Sequence, residues 1–170
     1  MTEEIINKVE QSGLVQLDMK DFYPQGQRTE IDLKDQLWQE LALKEQDFRQ
    51  FIKENNWAAY QDKFVAVHCS ADAIIPNWAY MLVASALAPF AKKVVAGNSK
   101  MLESVLFEDL LRELDLEQYR DERLIIKGCT DLPIPEHAYA ALTTELSKIA
   151  KSVMFGEPCS TVPVFKRPKE

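Results

Sequence analysis

The sequence predicts an α/β protein with a mostly parallel sheet of about four strands and helices on both faces. After residue 60, short continuous apolar runs alternate with helix-length segments, which is typical of buried parallel strands joined by helices. The pattern of strand, helix and strand occurs twice. With 170 residues, 46% of them hydrophobic, the chain is long enough for one core. We therefore expect a single domain over 1–170, with an α/β core at 61–170.

Residues 1–60 are expected to form an N-terminal α+β extension. Apolar residues at helical spacing predict a short helix over Glu3–Gln11. Alternating segments at Leu14–Leu17 and Thr29–Leu33 predict a pair of half-buried strands. From residue 34 to 60, apolar residues three or four apart predict one broken or two consecutive amphipathic helices, with a break near Leu43 and Lys44.

The core is expected to alternate strands with helices. Pro76 and Pro135 suit the first turn of a helix, because proline has no backbone N–H to leave unpaired there. The predicted strands are 64–67, 94–96, 124–126 and 153–155, and the predicted helices are 76–90, 99–114 and 135–149.

An internal repeat lies within this core. Pro76–Gly97 aligns with Pro135–Gly156 without a gap, and eight of the twenty-two aligned positions are identical. Upstream, one residue of slippage matches Cys69–Asp72 to Cys129–Asp131. This predicts two βαβ units, over 64–97 and 124–156, related by approximate two-fold symmetry.

Charge and hydropathy exclude several classes of protein. The net charge of −7 is the wrong sign for general nucleic-acid binding. The longest apolar run, Ala79–Ala91, is too short to cross a membrane. The acidic N-terminus and the odd number of cysteines indicate a reduced, cytoplasmic protein rather than a secreted one. We expect a homo-oligomer that binds neither membrane nor nucleic acid.

The three cysteines each follow a predicted strand. Cys69, Cys129 and Cys159 therefore fall where parallel strands end, which is where ligands of open α/β sheets collect. Three converging thiolates suit zinc or iron, with Asp72, Asp131, His68 or an exogenous group as the fourth ligand. A hydroxyl stands beside each thiol and is expected to support the sulfur ligands; these residues are Ser70, Thr130, Ser160 and Thr161. The leading hypothesis is a thiolate-rich metal-binding protein.

Two other functions fit the same residues. The first alternative is a non-enzymatic interaction or scaffold protein whose cysteines are buried structural residues. The second alternative is a thiol-dependent enzyme in which the thiol of Cys69 or Cys129 is activated near a helix N-terminus. His68 is expected on the opposite sheet face from its neighbour Cys69, and His137 is expected to be exposed in the first turn of a helix.

Several segments resemble an uncharacterised bacterial family, catalogued as domain of unknown function 2480. The resemblance runs nearly end to end. The segments that carry it are Asp21–Pro24, Tyr60–Lys63, Cys69–Met81, Ile126–Cys129 and Met154–Pro163. Such proteins look like companions of SUF-type iron–sulfur cluster assembly genes by gene neighbourhood. The resemblance implies an accessory role in iron–sulfur cluster assembly, with assembly proteins as partners.

Overall fold

The computed structural model describes residues 13–128, 131–157 and 159–168. These residues form seven strands, four α-helices and four short 3-10 helices. The helix expected at Glu3–Gln11 lies outside the described residues. The strands are β1 Leu14–Asp18, β2 Arg28–Asp32, β3 Phe64–His68, β4 Lys93–Ala96, β5 Arg123–Lys127, β6 Ser152–Glu157 and β7 Ser160–Lys166. The α-helices are α1 Glu45–Glu54, α2 Asn77–Leu87, α3 Ser99–Glu113 and α4 Glu136–Ile149. The 3-10 helices are Met19–Phe22, Leu33–Gln36, Trp57–Tyr60 and Leu116–Tyr119.

The predicted α/β class is confirmed, but the strands belong to two sheets. One sheet has the order β1-β5-β6-β7 and the other has the order β2-β3-β4. The chain divides into two compact units: the continuous unit, residues 25–106, and the split unit, residues 1–24 with 107–170. The division falls within α3. It does not test the expectation of a single domain over 1–170, which stays a prediction.

The continuous unit has helices on both faces of a parallel three-stranded sheet. On one face, Val65 and Val67 of β3 belong to a core cluster with residues of α1 and α2. On the other face, Phe64 and Ala66 cluster with residues from the first half of α3. Since side chains alternate along a strand, the continuous apolar run of β3 supplies both faces.

The split unit has a mixed four-stranded sheet. Strands β1, β5 and β6 are parallel, and β7 returns antiparallel beside β6. Leu124 and Ile126 of β5 pack in a core cluster with Leu142 and Leu146 of α4. The sequence did not predict β7, because Pro163 at its centre argues against a strand. As the sheet has the order β1-β5-β6-β7, this proline lies on an edge strand, where it is tolerated.

The N-terminal strands do not pair with each other. Strand β1 pairs with β5, and β2 pairs with β3, so each is part of a different sheet. The sequence also predicted too much helix over residues 34–60. Residues 33–36 form a 3-10 helix, Trp38 and Ala42 form an antiparallel β-bridge, and only Glu45–Glu54 is α-helical.

The internal repeat is visible in matching hydrogen bonds 59 residues apart. The Asp62 N–H donates to the Phe90 carbonyl at 2.9 Å, and the Asp121 N–H donates to the Ile149 carbonyl at 2.9 Å. Both aspartates have positive φ, 58° and 61°. The same offset carries β3 onto β5 and the start of α2 onto that of α4, so no slippage is needed.

The constant offset corrects the predicted equivalence of two cysteines. With no slippage, Cys69 corresponds to Gly128, and Ser70 corresponds to Cys129. The similar Cys-Ser and Cys-Thr dipeptides had suggested a shifted alignment. The two thiols are therefore not repeat equivalents.

Candidate functional site

Cys69 lies directly after β3 and is half-buried against the core of the continuous unit. Its Sγ donates to the Ala71 carbonyl at 3.7 Å. Burial, followed by the nearby Cys69 thiol, raises the pKa of the Tyr80 phenol. His68 contacts Glu30 at 3.7 Å and lies on the other sheet face, as predicted. The Cys69 side chain is therefore packed against the core, as cysteines in protein interiors commonly are.

Ser70 binds a carboxylate rather than supporting a sulfur. Its hydroxyl donates to Asp32 Oδ2 at 2.5 Å, and its N–H donates to Asp32 Oδ1 at 3.0 Å. The Lys34 N–H also donates to Asp32 Oδ1, at 3.0 Å. Burial raises the pKa of Asp32, but the hydrogen bonds from Ser70 and Lys34 and the nearby His68 outweigh it and lower the pKa to about 2. Asp32 therefore joins the end of β2 to the loop after β3.

The other predicted site residues belong to different segments of the chain. Asp72 and Asp131 are exposed, each within its own unit. Cys159 is exposed between β6 and β7, while Ser160 and Thr161 pair with Glu157 and Gly156 as part of β7. Cys129 and Thr130 lie outside the described residues.

The structure contradicts the leading functional hypothesis. Within 13–128, 131–157 and 159–168, no group of three or more His, Cys, Asp or Glu side chains is placed to hold a metal ion. The predicted function as a thiolate-rich metal-binding protein is therefore wrong. The predicted accessory role in iron–sulfur cluster assembly is also wrong, because it depended on that metal site. A strand end places a cysteine near an edge of the sheet but does not direct its sulfur toward the others. The choice of zinc or iron as cofactor is not tested and stays a prediction.

A basic groove in the split unit was not predicted from the sequence. It has a volume of about 800 Å³. Met154, Pro163 and Phe165 supply its apolar part. Its charged lining consists of Arg123, Lys151, Lys166 and Arg167 with one carboxylate, Asp121. The lining therefore carries a net charge of +3, from four cations and one anion, in a chain whose net charge is −7.

Strand register brings the cations of the basic groove together. Arg123 begins β5 and pairs with Ser152 at the start of β6, which pairs in turn with Lys166 at the end of β7. With neighbouring strands about 4.8 Å apart, Arg123 and Lys166 stand about 10 Å apart across the sheet. Arg167 donates to Asp121 and to the Ile149 carbonyl, and its N–H donates to the Lys151 carbonyl at 3.0 Å. These hydrogen bonds hold Arg167, the residue after β7, beside the groove.

A second cleft in the split unit lies among α3, α4 and the 3-10 helix between them. Its volume is about 760 Å³, and its lining includes His137 and Glu108, whose Nε2 and Oε1 are 2.7 Å apart. His137 is half exposed, as predicted. The carboxylates of this cleft have partners close in sequence: Glu117 binds Arg120, and Glu145 binds Lys148. These partners offset the carboxylates of the cleft, whereas the lining of the basic groove carries a net charge of +3.

The family model described as "Protein of unknown function (DUF2480)" matches residues 3–167. The chain belongs to this family. The resemblance found in the sequence is therefore confirmed. Neither the curated proteins nor the solved structures contain a match.

In this DUF2480 protein, the charges of the basic groove come from separate parts of the chain. Arg123 begins β5, Lys151 precedes β6 and Lys166 ends β7. None of the three belongs to a recognisable motif. One signal was present in the sequence, which is the basic C-terminal segment Phe165–Lys169 in an otherwise acidic protein. Its neighbours Arg123 and Lys151 become apparent only once the strand register is known.

Proposed function

We propose that this protein is a binding module that takes an acidic polypeptide segment into the basic groove. The observation that carries this proposal is a groove lined by four cations, one carboxylate and several apolar side chains in a chain of net charge −7. Positive potential concentrated in one groove attracts and orients an anionic partner, while the rest of the surface repels it.

The composition of the groove favours a partner with both carboxylates and apolar side chains. Met154 and Phe165 are half-buried and offer apolar contact beside the cations. Lys151 and Lys166 are exposed, with long side chains that can follow a partner's carboxylates. An alternating acidic and apolar strand presents both chemistries on its two faces.

The exposure of the lining favours an extended segment over a small molecule. Small-molecule sites bury most of the ligand surface. Here Lys151, Pro163, Lys166 and Arg167 are all exposed, so the groove is open along its length. The five residues from Pro163 to Arg167 span about 13 to 16 Å, room for four or five residues of an extended chain.

Fluorescence anisotropy with a labelled peptide of alternating Glu and Leu tests the proposal. We expect saturable binding that weakens as NaCl is raised, because exposed charge pairs are screened. A peptide with Gln in place of Glu should bind at least ten-fold more weakly. Equal binding of the two peptides, or tighter binding of a single-stranded oligonucleotide than of the acidic peptide, contradicts the proposal.

Charge-reversal variants test whether the acidic peptide binds in the basic groove. The double substitution Lys151→Glu and Lys166→Glu should weaken peptide binding at least ten-fold. The matched control is Lys92→Glu, because Lys92 occupies the position equivalent to Lys151 in the continuous unit and is also exposed. Equal losses in Lys92→Glu and in the double variant would show that the basic groove is not the binding site.

A further inference from the structure

The outer face of α2 carries no charge. Ala79, Val83 and Leu87 point into the core of the continuous unit and are buried. On the outside Met81 is 70% exposed, and Ile74, in the loop that leads into the helix, is 89% exposed. The sequence of α2 contains no charged residue. A surface helix normally has charged residues on its outer face, so the uncharged α2 departs from the usual pattern.

Helix α4 provides an internal comparison. It holds the equivalent position in the repeat, and its buried residues are of the same kind: Ala138, Leu142 and Leu146. Its outer face differs, because it carries charged and polar side chains, namely Glu136, His137, Thr144, Glu145 and Lys148. At the offset of 59, Met81 corresponds to Ala140 and Ile74 to Pro133. The fold therefore does not require an uncharged surface at this position.

We propose that the outer face of α2 binds the same face of a second copy of this chain. In a two-fold contact each residue meets its own counterpart or near neighbours, so like charges at the interface repel. A chain of net charge −7 has few surfaces on which two copies can meet without repulsion. The uncharged face of α2 is such a surface.

The side chains of α2 suit packing against an identical helix. Ala84 and Ser85 lie one turn after Met81, on the same side of the helix. Because these residues are small, the long, flexible Met81 side chain of the other copy can pack against them. The two-fold axis then produces the contact twice. This interface does not depend on the basic groove, which belongs to the split unit.

Sedimentation velocity and light scattering test the proposal. A contact of one helix and one loop per copy is small, so measurements should extend from about 5 to about 200 μM. We expect the wild-type chain to reach a mass of about 39 kDa, twice the 19.5 kDa of one chain. A wild-type chain that stays at 19.5 kDa throughout this range overturns the proposal.

Matched substitutions on the two helices identify the surface. Met81→Glu should shift the protein to monomer, whereas Ala140→Glu, at the equivalent exposed position of α4, should leave the dimer intact. Ile74→Glu provides a second variant outside the helix, so a folding defect in Met81→Glu does not leave the question open. Dimers that persist in both Met81→Glu and Ile74→Glu, or that dissociate equally in Ala140→Glu, overturn the proposal.

Discussion

Arg28 and Glu103 form a bidentate ion pair inside the continuous unit. Arg28 Nε donates to Glu103 Oε1 at 2.8 Å, and Nη2 donates to Oε2 at 3.2 Å. The third nitrogen, Nη1, donates to the Gly26 carbonyl at 2.7 Å. Among the described residues, Glu103 is the buried charged residue, with 5% of its surface exposed. The pair therefore connects β2 to α3 through an interaction shielded from water.

Loss of one partner of this pair should strongly destabilise the protein. We expect Glu103→Ala to lower the free energy of unfolding by about 3–5 kcal/mol, because the Arg28 charge then lacks its buried partner. Glu113→Ala, at an exposed position of the same helix, should change it by less than about 0.5 kcal/mol. Urea denaturation followed by circular dichroism measures both. Similar losses in the two variants would contradict a special contribution from the buried pair.

The apolar strands were predictable because their signal is local. Phe64–His68 and Arg123–Lys127 contain buried residues on both faces, and continuous apolar runs report such burial directly. The partners of β1 and β2 were not predictable in this way. Both strands are short and alternating, and both are followed by a 3-10 helix whose first turn is capped by an aspartate, Asp18 or Asp32. No local feature of the sequence indicates that β1 pairs with β5 and that β2 pairs with β3.

The functional site was less predictable than the fold. The sequence predicted a metal site at the cysteines because each of them follows a predicted strand. A position along the chain, however, does not give the direction of a side chain. The groove depends on Arg123 and Lys166, which become neighbours only through the pairing of β5, β6 and β7. Long-range register of this kind is set by the whole sheet and not by any one segment.

Asp32 should make stability depend on pH in the acid range. Its folded-state pKa of about 2 lies below the ordinary value of 3.8, so the folded state favours the carboxylate. This contribution is fully present above pH 4 and is lost as pH falls from about 4 to about 2. Since the side chain is partly open to solvent, we expect a contribution of roughly 1 kcal/mol.

The variant Asp32→Asn isolates this effect. Wild type should be more stable than Asp32→Asn at pH 6, and the difference should shrink as pH falls toward 2. Asp72→Asn, which removes an exposed carboxylate from the same unit, is the matched control. Urea denaturation at pH 6, 4 and 3 gives the comparison. A difference between wild type and Asp32→Asn that stays constant from pH 6 to pH 3 would exclude this account.

The two described cysteines should differ in their reaction with iodoacetamide. Cys159 is exposed, whereas Cys69 packs against the core and donates to the Ala71 carbonyl. We expect Cys159 to be alkylated at least ten-fold faster than Cys69 in the folded protein, because thiol reactivity requires access. Peptide mass spectrometry over a time course distinguishes the two, with urea-unfolded protein as the control for intrinsic reactivity. Faster alkylation of Cys69 would instead support the thiol-dependent enzyme.

A fragment comprising residues 25–113 should fold without the rest of the chain. It contains the continuous unit with all of α3, including both core clusters of that unit and the Arg28–Glu103 pair. The fragment 107–170 should not fold, since it lacks β1, the neighbour of β5, and the buried residues Leu17 and Met19. Far-UV circular dichroism and urea titration test both fragments. We expect a cooperative transition for 25–113, lost in its Val65→Asp variant because that substitution places a charge in the core. A non-cooperative 25–113 fragment would show that the continuous unit depends on the split unit for its stability.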